Sequence, residues 1–195
     1  NAWATDVNAA CSGFLYAFTM GASLVEGGRY KKVIVVGADQ NSAIINYKDR
    51  NTCILFGDGA GAVLIEPTTD NVGLIDSVFK TDGKGREHLY VPAGGSKCPA
   101  TPESVADRKH FIQQDGRIVF KAAINGMTDT CTAILQRNDL DILDIDWLIP
   151  HQANYRIIHA VGDHLGLPAE RVKVNIDRYG NTTAATIPLC LWDFK

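Results

Sequence analysis

The chain has 195 residues, of which 46% are hydrophobic and 21% are charged, and its formal net charge is −3. This composition is typical of a globular protein with a buried core and excludes a disordered chain. The slight acidic balance, without an extended basic cluster, predicts no nucleic-acid binding. The apolar runs are too short to span a bilayer, so we expect no membrane association.

Five scattered cysteines show neither a CxxC motif nor the Cys/His spacing of a zinc site. The pattern predicts no disulfide framework and no metal, and it fits a reducing cytoplasmic compartment. The chain begins without methionine in NAWATDV, which reads as an internal strand, and it ends in LCLWDFK, a helical pattern without a cap. We therefore expect a chain that is cut at both ends.

The first predicted elements alternate between strand and helix. We expect a short strand at 3–9, a helix from Ser12 to a stop at Gly27-Gly28, and a strand at 32–38. The β-branched run KVIVVGA is typical of a strand buried on both faces. Strand, helix and strand in this order predict a βαβ unit with a parallel sheet. Further strands are predicted at 52–56, 61–65 and 72–79.

A long irregular segment at 81–110 separates these elements from a second set. In the second set we expect helices at 117–137 and 153–165, short strands at 147–150 and 172–176, and a turn at 180–183 that opens a last helix. The order of elements predicts an α/β fold in two units, residues 1–80 and residues 81–195.

Cys11 lies in AACSGF, between the first predicted strand and the first predicted helix. A thiol at the amino terminus of a helix is exposed to the positive end of the helix dipole, which can lower its pKa from about 8.5 to between roughly 3.5 and 7.5. The small neighbouring residues permit a tight turn and close approach of a substrate. The position predicts a nucleophile, with a buried structural cysteine as the alternative.

Two other polar residues occupy comparable corners of the chain. His151 follows the apolar segment DWLIP and precedes a helix, and Asn181 lies in the turn GNTT. Taken alone, each is consistent with a structural role, the asparagine as a turn residue or a helix cap. Because α/β active sites collect at the carboxyl ends of strands, we expect Cys11, His151 and Asn181 to meet at one edge of a sheet.

Four segments of the chain carry a family resemblance. They are DVNAACSGF (6–14), FGDGAGAVL (56–64), DWLIPHQAN (146–154) and YGNTTAATIP (179–188). Together they resemble the β-ketoacyl-acyl-carrier-protein synthase III family of the thiolase superfamily, over essentially the whole chain and in the same order. The resemblance implies a thiolase-like layered α/β/α fold, with the end of the first half and most of the second half present here.

The resemblance also implies an activity. It is the decarboxylating condensation of an acyl-CoA primer with malonyl-acyl-carrier protein through a cysteine thioester, which initiates fatty acid synthesis. Cys11 would accept the acyl group, while His151 and Asn181 would hold the malonyl thioester carbonyl as carbon dioxide leaves. Coenzyme A enters as part of a substrate, so no resident cofactor is implied, and a homodimer is expected.

Residues around these three acquire roles through the same resemblance. Arg50 would flank the coenzyme A nucleotide, Phe56 would line the acyl pocket, and Asn154 would position the catalytic histidine and the substrate arm. Arg156 would meet the acidic acyl-carrier protein at the mouth of the tunnel, and Lys121 would join that basic rim more weakly. A solvated surface arginine is the alternative for Arg156.

Three other functions are consistent with parts of this pattern. Papain-like proteases share the order Cys, His, Asn, but AACSGF lacks their C-G-x-C-[WY] flank. Chalcone-synthase-like and hydroxymethylglutaryl-CoA-synthase-like enzymes belong to the same superfamily, although PHQAN with GNTTAATIP favours the type III synthases. A non-catalytic dimerisation piece is the third alternative.

The chain lacks the family's leading segment and closing Gly-rich loop, and Asn51 stands where the family more often has glycine.

Overall fold

The computed structural model describes residues 2–195, which contain six helices and four strands. The helices are α1 (Gly13–Glu26), α2 (Pro102–Ala106), α3 (Gly116–Arg137), α4 (Tyr155–Leu165), α5 (Ile176–Tyr179) and α6 (Thr186–Asp193). The strands are β1 (Val33–Asp39), β2 (Gly59–Ile65), β3 (Leu89–Tyr90) and β4 (Gln113–Gln114). Two 3-10 turns, Ala10–Ser12 and Thr183–Ala185, precede α1 and α6.

The strands pair in an order that the sequence did not predict. β1 pairs antiparallel with β2, with Val33 opposite Ile65 and Asp39 opposite Gly59, and β3 pairs antiparallel with β4. The predicted parallel βαβ unit is wrong for the described residues, because the segment at 3–9 is irregular and mostly exposed. An apolar run predicts a strand but does not encode the direction of its partner.

One face of β1 is also more accessible than predicted. Val35 is 4% exposed against α1, whereas Ile34 and Val36 on the other face are 69% and 56% exposed. The expectation of a strand buried on both faces therefore fails within residues 2–195. The alternation of exposed and buried residues is that of a strand with one covered face.

Several predicted strands are single bridges or loops. Residues 52–56 form a turn in which only Phe56 makes a bridge, and residues 72–79 are irregular. The predicted strands at 147–150 and 172–176 reduce to one parallel bridge between Leu148 and Val172. These runs are short and apolar, and a short apolar run does not by itself specify a ladder; Ile54, Val72 and Ile75 within them are exposed.

The helices predicted from Ser12 to the Gly27-Gly28 stop, at 117–137 and at 153–165 are confirmed as α1, α3 and α4, with ends shifted by one or two residues. Gly166 ends α4 with φ of 72°, a left-handed conformation that favours glycine.

The packed interior joins α1 to the covered face of β1, α3 to α4, and α6 to β2. Its centre is formed by three buried groups: Phe14 with Val35 and Ile187; Ile124 with Ile157 and Val161; and Ile158 with Leu167 and Val172. Within residues 2–195 no helix is both long enough and apolar enough to cross a bilayer.

Candidate active site

Cys11 lies in the 3-10 turn that immediately precedes α1 and is half-buried. The turn is tight: Ser12 N–H donates to the Ala9 carbonyl at 3.0 Å, and Ala10 has a positive φ of 45°. A non-glycine residue in this conformation is strained, and such strain often lies at functional sites. The sequence prediction of a corner before a helix is therefore confirmed for Cys11.

The protonation state of Cys11 differs from the prediction. Burial and, secondarily, the negative charge of Asp39 raise the pKa of the thiol to about 11, against a lowering effect of the backbone N–H of Cys11. Desolvation penalises the thiolate more than the start of the helix stabilises it. The expected depression of the Cys11 pKa is wrong, and the resting group is a neutral thiol.

We expect Asp39→Asn to lower the pKa of Cys11. The substitution removes the negative charge, while an amide oxygen can still accept from Ala184 N, as Asp39 Oδ2 does at 3.0 Å. Alkylation of Cys11 by iodoacetamide at fixed pH should accelerate by up to about tenfold, since one pKa unit changes the thiolate fraction tenfold. Glu66→Gln, a neutralisation at the opposite end of the β1–β2 pair, is the matched control, because Glu66 forms an exposed ion pair with Lys32. An unchanged alkylation profile in Asp39→Asn would contradict this electrostatic effect.

Asn181 is buried in a corner that its own backbone fixes. Asn181 N–H donates to Leu55 O at 2.8 Å, and Asn181 O accepts from Gly57 N–H at 3.0 Å. The side chain of the buried Asn41 joins the same two segments. Its Nδ2 donates to Gly57 O at 2.7 Å and to Asn181 O at 3.3 Å. The side-chain position of Asn181 is therefore set by backbone bonds that do not occupy its amide group.

The side-chain amide of Asn181 has a defined orientation. Its Oδ1 accepts from Thr183 N–H at 2.9 Å, which assigns the other end of the amide as the NH₂ group. Within residues 2–195 this NH₂ group has no hydrogen-bond partner. Asn181 thus offers a preorganised donor. Thr183, which makes that bond, has a positive φ of 48°.

Residues 181–186, here called the 181–186 turn, connect the three predicted corners. The 3-10 turn within it packs against the 3-10 turn that contains Cys11. Ala184 also abuts Gly37 of β1, where a Cβ would collide with the Ala184 carbonyl. At the end of the turn, Thr186 Oγ1 lies 2.7 Å from Nδ1 of His151. One turn therefore touches the segments of Cys11 and His151 and contains Asn181.

His151 is neutral in this environment. Burial lowers the pKa of its imidazole to about 4. The following residue, Gln152, is buried and anchors the segment, because its Oε1 accepts from Asn175 N–H at 2.9 Å and its Nε2 donates to Pro150 O at 2.9 Å. A neutral imidazole on a fixed backbone can accept one proton and donate another.

The predicted residues around Cys11, His151 and Asn181 differ in their exposure and in their contacts. Phe56 is half-buried and bridges to Asn181, whereas Arg50 is exposed in the preceding turn. Asn154 caps α4, because its Oδ1 accepts from Arg156 N–H at 2.9 Å. This cap is a structural role that the substrate assignment did not include. The exposed Arg156 places its guanidinium carbon 5.3 Å from the ring centre of Phe120 on α3.

A cavity of about 610 Å³ opens beside the Asn181 corner. Its lining includes Asn51 and Leu55, whose carbonyl accepts from Asn181 N–H, and residues 113–116, which lead into α3. The complete lining is Asn51, Leu55, Glu87, Tyr90, Gln113, Gln114, Asp115 and Gly116. The volume is in the range that small-molecule sites use.

Three residues of the site were missed by sequence reasoning: Asp39, Asn41 and Thr186. The first two follow the β-branched run of β1, and polar residues directly after a buried strand were a signal that they lie at its carboxyl end. Thr186 stands three residues after Thr183 in GNTTAAT and is the first residue of α6. Its contact with His151 joins residues 35 positions apart, so no local pattern predicts it.

Comparison with known families gives two matches. The family model described as 3-oxoacyl-[acyl-carrier-protein (ACP)] synthase III matches residues 5–83, and the model of its C-terminal part matches residues 135–194. Among curated proteins, beta-ketoacyl-[acyl-carrier-protein] synthase III 1 of Bacteroides thetaiotaomicron is 55% identical over 195 residues, which is 100% of this chain and 58% of the relative. The corresponding synthase of Chlorobaculum tepidum is 54% identical over 193 residues, covering 98% of this chain and 59% of the relative.

Solved structures show the same likeness. The 3-oxoacyl-[acyl-carrier-protein] synthase III of Aquifex aeolicus superposes with a TM-score of 0.86 at 37% identity, over 98% of this chain and 57% of that one. The Pseudomonas aeruginosa synthase III gives a TM-score of 0.88 at 36% identity, over 98% of this chain and 58% of that one. The chain thus has the fold of these thiolase-like enzymes while spanning less than two thirds of their length.

Proposed function

Because the chain belongs to the 3-oxoacyl-[acyl-carrier-protein] synthase III family, we propose that it provides the catalytic residues of a decarboxylating condensation. The substrates are an acyl-CoA primer and malonyl-acyl-carrier protein, and the reaction initiates fatty acid synthesis. The observation that supports this most is the 181–186 turn, which contains Asn181, packs on the Cys11 turn and binds His151. The proposed catalytic residues are Cys11, His151 and Asn181.

In the first half-reaction Cys11 exchanges with the thioester of the primer. Its sulfur attacks the carbonyl carbon, the bond from that carbon to the coenzyme A sulfur breaks, and the acyl group remains on Cys11 as a thioester. The thiol is neutral at rest, so its proton has to leave as the new bond forms. The departing coenzyme A sulfur takes up one proton in exchange, so the half-reaction leaves the number of bound protons unchanged.

In the second half-reaction the malonyl group loses carbon dioxide. The electrons of the broken carbon–carbon bond form an enolate, whose charge develops on the thioester oxygen. Two donors around that oxygen stabilise the charge: the free NH₂ group of Asn181 and an N–H of the neutral His151 imidazole. The enolate carbon then attacks the carbonyl carbon of the Cys11 thioester, and the bond from that carbon to sulfur breaks. This releases the β-ketoacyl chain on the carrier protein, and the departing Cys11 thiolate takes up one proton from water to regenerate the thiol.

The surrounding roles belong to the same proposal. Arg50 flanks the coenzyme A nucleotide, Phe56 lines the acyl pocket, and Asn154 orients the His151 segment through its cap on α4. Coenzyme A enters as a thioester substrate, so the reaction uses no resident cofactor. The complete protein is proposed to be a cytoplasmic homodimer.

Arg156, on the exposed surface of α4, is proposed to bind the acidic acyl-carrier protein. Two further basic residues, Arg117 and Lys121, line a shallow depression on the neighbouring α3. We expect Arg156→Glu to weaken carrier affinity in a salt-dependent way, since attraction between exposed charges is screened over about 8–10 Å at ordinary ionic strength. Titration of carrier protein at two salt concentrations measures the effect.

The matched control for this prediction is Arg29→Glu. Arg29 is also exposed, and it lies before β1, at the strand end opposite to Asp39 and the candidate site. This variant changes the net charge equally and should leave carrier affinity and its salt dependence close to those of the unmodified protein. Equal weakening by both substitutions, or unchanged affinity in Arg156→Glu, would reduce Arg156 to a surface residue.

The proposed reaction is tested on the complete natural protein with acetyl-CoA and malonyl-acyl-carrier protein. Intact mass of the carrier should show conversion of the malonyl thioester to a β-ketoacyl thioester, with one carbon dioxide released for each product. Carbon dioxide release without a new carrier-bound product, or no turnover by a correctly folded protein, would contradict the proposed function.

A further inference from the structure

Asp193, the last residue of α6, has a buried carboxylate whose side chain is 7% exposed. Its Oδ2 lies 2.9 Å from Nδ2 of Asn175 and 3.0 Å from Nη1 of Arg178, and its Oδ1 accepts from the Tyr179 hydroxyl at 3.2 Å. A carboxylate buried without partners is destabilising, whereas both oxygens are bonded here. Asn175, Arg178, Tyr179 and Asp193 are called the Asp193 cluster.

The cluster closes a loop around the 181–186 turn. Tyr179 ends α5, and Gly180, with a positive φ of 67°, leads from α5 into the turn. The helix α6 follows the turn directly and ends at Asp193. The bonds from Asn175 and Tyr179 to Asp193 therefore join the segment before the turn to the helix after it. The 181–186 turn is thereby held at both of its ends.

A second set of bonds links the same cluster to the His151 segment. Gln152 follows His151 in the chain and is 1% exposed. Its Oε1 accepts from Asn175 N–H at 2.9 Å, and its Nε2 donates to Lys173 O at 3.2 Å. Asn175 thus binds Gln152 through its backbone and Asp193 through its side chain.

We propose that Asp193 is a positioning residue for decarboxylation, which fixes the segments of His151 and Asn181 relative to each other. This inference rests on the proposed function, in which an N–H of His151 and the NH₂ group of Asn181 donate to the same enolate oxygen. Two donors stabilise one oxygen best when their separation is fixed before the charge develops. Asp193 acts on this pair through the chain, by way of Asn175 toward His151 and by way of Tyr179 toward Asn181.

Acyl transfer depends less on the Asp193 cluster. Cys11 lies in the 3-10 turn that precedes α1, and within residues 2–195 no hydrogen bond joins this turn to the cluster. The Cys11 turn meets the 181–186 turn only by packing on its 3-10 part. Loss of the cluster should therefore slow decarboxylation more than formation of the acyl-enzyme.

Two substitutions in the complete protein separate positioning from stability. Asp193→Leu keeps the approximate shape of the side chain and removes both acceptors. Asp193→Asn keeps an oxygen that can accept from Asn175 Nδ2 and adds an NH₂ group that can donate to the Tyr179 hydroxyl oxygen. The lost attraction to Arg178 should cost little, because the arginine side chain is 58% exposed.

Asp76 supplies the matched control. Its carboxylate has the same two kinds of partner, accepting from Asn138 Nδ2 at 2.9 Å and from Arg137 Nη2 at 2.7 Å, and its side chain is 19% exposed. These bonds join the 72–79 segment to the end of α3 and involve no member of the Asp193 cluster. Asp76→Leu and Asp76→Asn therefore repeat the chemical change in a different part of the fold. Thermal unfolding of all four variants measures their cost in stability.

The first readout is NMR of the two donors, the imidazole nitrogens of His151 and the side-chain NH₂ group of Asn181. The signals are assigned by their loss in His151→Gln and Asn181→Asp. In Asp193→Leu both sets should shift or broaden, whereas in Asp193→Asn and in the two Asp76 variants they should stay close to those of the unmodified protein. Unchanged signals in Asp193→Leu, or the same change in Asp76→Leu, would overturn the proposal. This readout does not depend on activity.

The second readout compares the two half-reactions. In Asp193→Leu, carbon dioxide release from malonyl-acyl-carrier protein should fall by ~10–10²-fold, since displacing a catalytic group by about 1 Å has effects of this size. The loss should appear in kcat rather than in KM, and acyl-enzyme formation on Cys11 should be largely retained. Asp193→Asn should restore most of the carbon dioxide release.

Three outcomes of this comparison would overturn the positioning role. They are equal losses in both half-reactions of Asp193→Leu, an Asp193→Asn that releases carbon dioxide no faster than Asp193→Leu, and an equal loss in Asp76→Leu. No carbon dioxide release by the unmodified protein would instead contradict the proposed function, and the NMR comparison would still decide whether Asp193 positions the two donors.

Discussion

Asn181→Ala should lower the rate of carbon dioxide release from malonyl-acyl-carrier protein by ~10²–10³, or about 3–4 kcal/mol, as expected for loss of one preorganised donor. The amide oxygen of Asn181 is occupied by Thr183 N–H, so the NH₂ group is the part available to a developing enolate oxygen. Formation of the acyl-enzyme on Cys11 does not use this donor. That step should therefore be largely retained.

Asn181→Asp refines this prediction. An aspartate keeps an oxygen that can accept from Thr183 N–H, so the turn is preserved, but the donor is replaced by an acceptor with negative charge. It should lose decarboxylation at least as severely as Asn181→Ala. Asn71→Asp, at an exposed position in a loop, controls for the charge and should be indistinguishable from the unmodified protein.

The measurement follows radiolabelled carbon dioxide and acyl-enzyme mass in parallel. His151→Ala provides the comparison, because an N–H of His151 is proposed as the second donor to the same oxygen. It should lose carbon dioxide release as well and retain much of the acyl-enzyme formation. Normal decarboxylation in Asn181→Ala would make Asn181 a turn residue. The proposed mechanism would then lack a donor that the structure otherwise supplies.

The order of helices could be predicted from the sequence, whereas the pairing of strands could not. α1, α3 and α4 follow from periodic apolar residues and from the end signals at Gly27 and Gly166, all of which are local. The direction of β1 relative to β2 depends on a partner that begins twenty residues after the end of β1. The exposure of Ile34 depends on what packs against the sheet, which a β-branched run does not specify.

In the candidate site, too, local features could be predicted from the sequence and long-range effects could not. The corner positions of Cys11, His151 and Asn181 could be predicted because each follows a short apolar segment and precedes a turn or helix. The pKa of Cys11 could not be predicted from the sequence. It depends on burial and on the negative charge of Asp39, which only the tertiary structure brings near the thiol. The prediction from the start of the helix included one effect that stabilises the thiolate. It left out the larger cost of removing the thiolate from water.

The second large effect concerns Cys11 itself. Cys11→Ser should abolish the covalent acyl-enzyme, because a serine hydroxyl is a far weaker nucleophile than a thiol. The fold should be retained, as the two side chains are nearly isosteric. Cys131→Ser is the matched control: burial also raises the pKa of the Cys131 thiol, but this residue lies within α3.

The most direct test of the central claim, that Cys11 carries the acyl group, is intact mass of the complete protein after incubation with acetyl-CoA. We predict one acetyl adduct that maps to Cys11, persists in Cys131→Ser and is absent from Cys11→Ser. An adduct that survives in Cys11→Ser, or that maps to Cys53 or Cys131 in the unmodified protein, would contradict the assignment of the nucleophile.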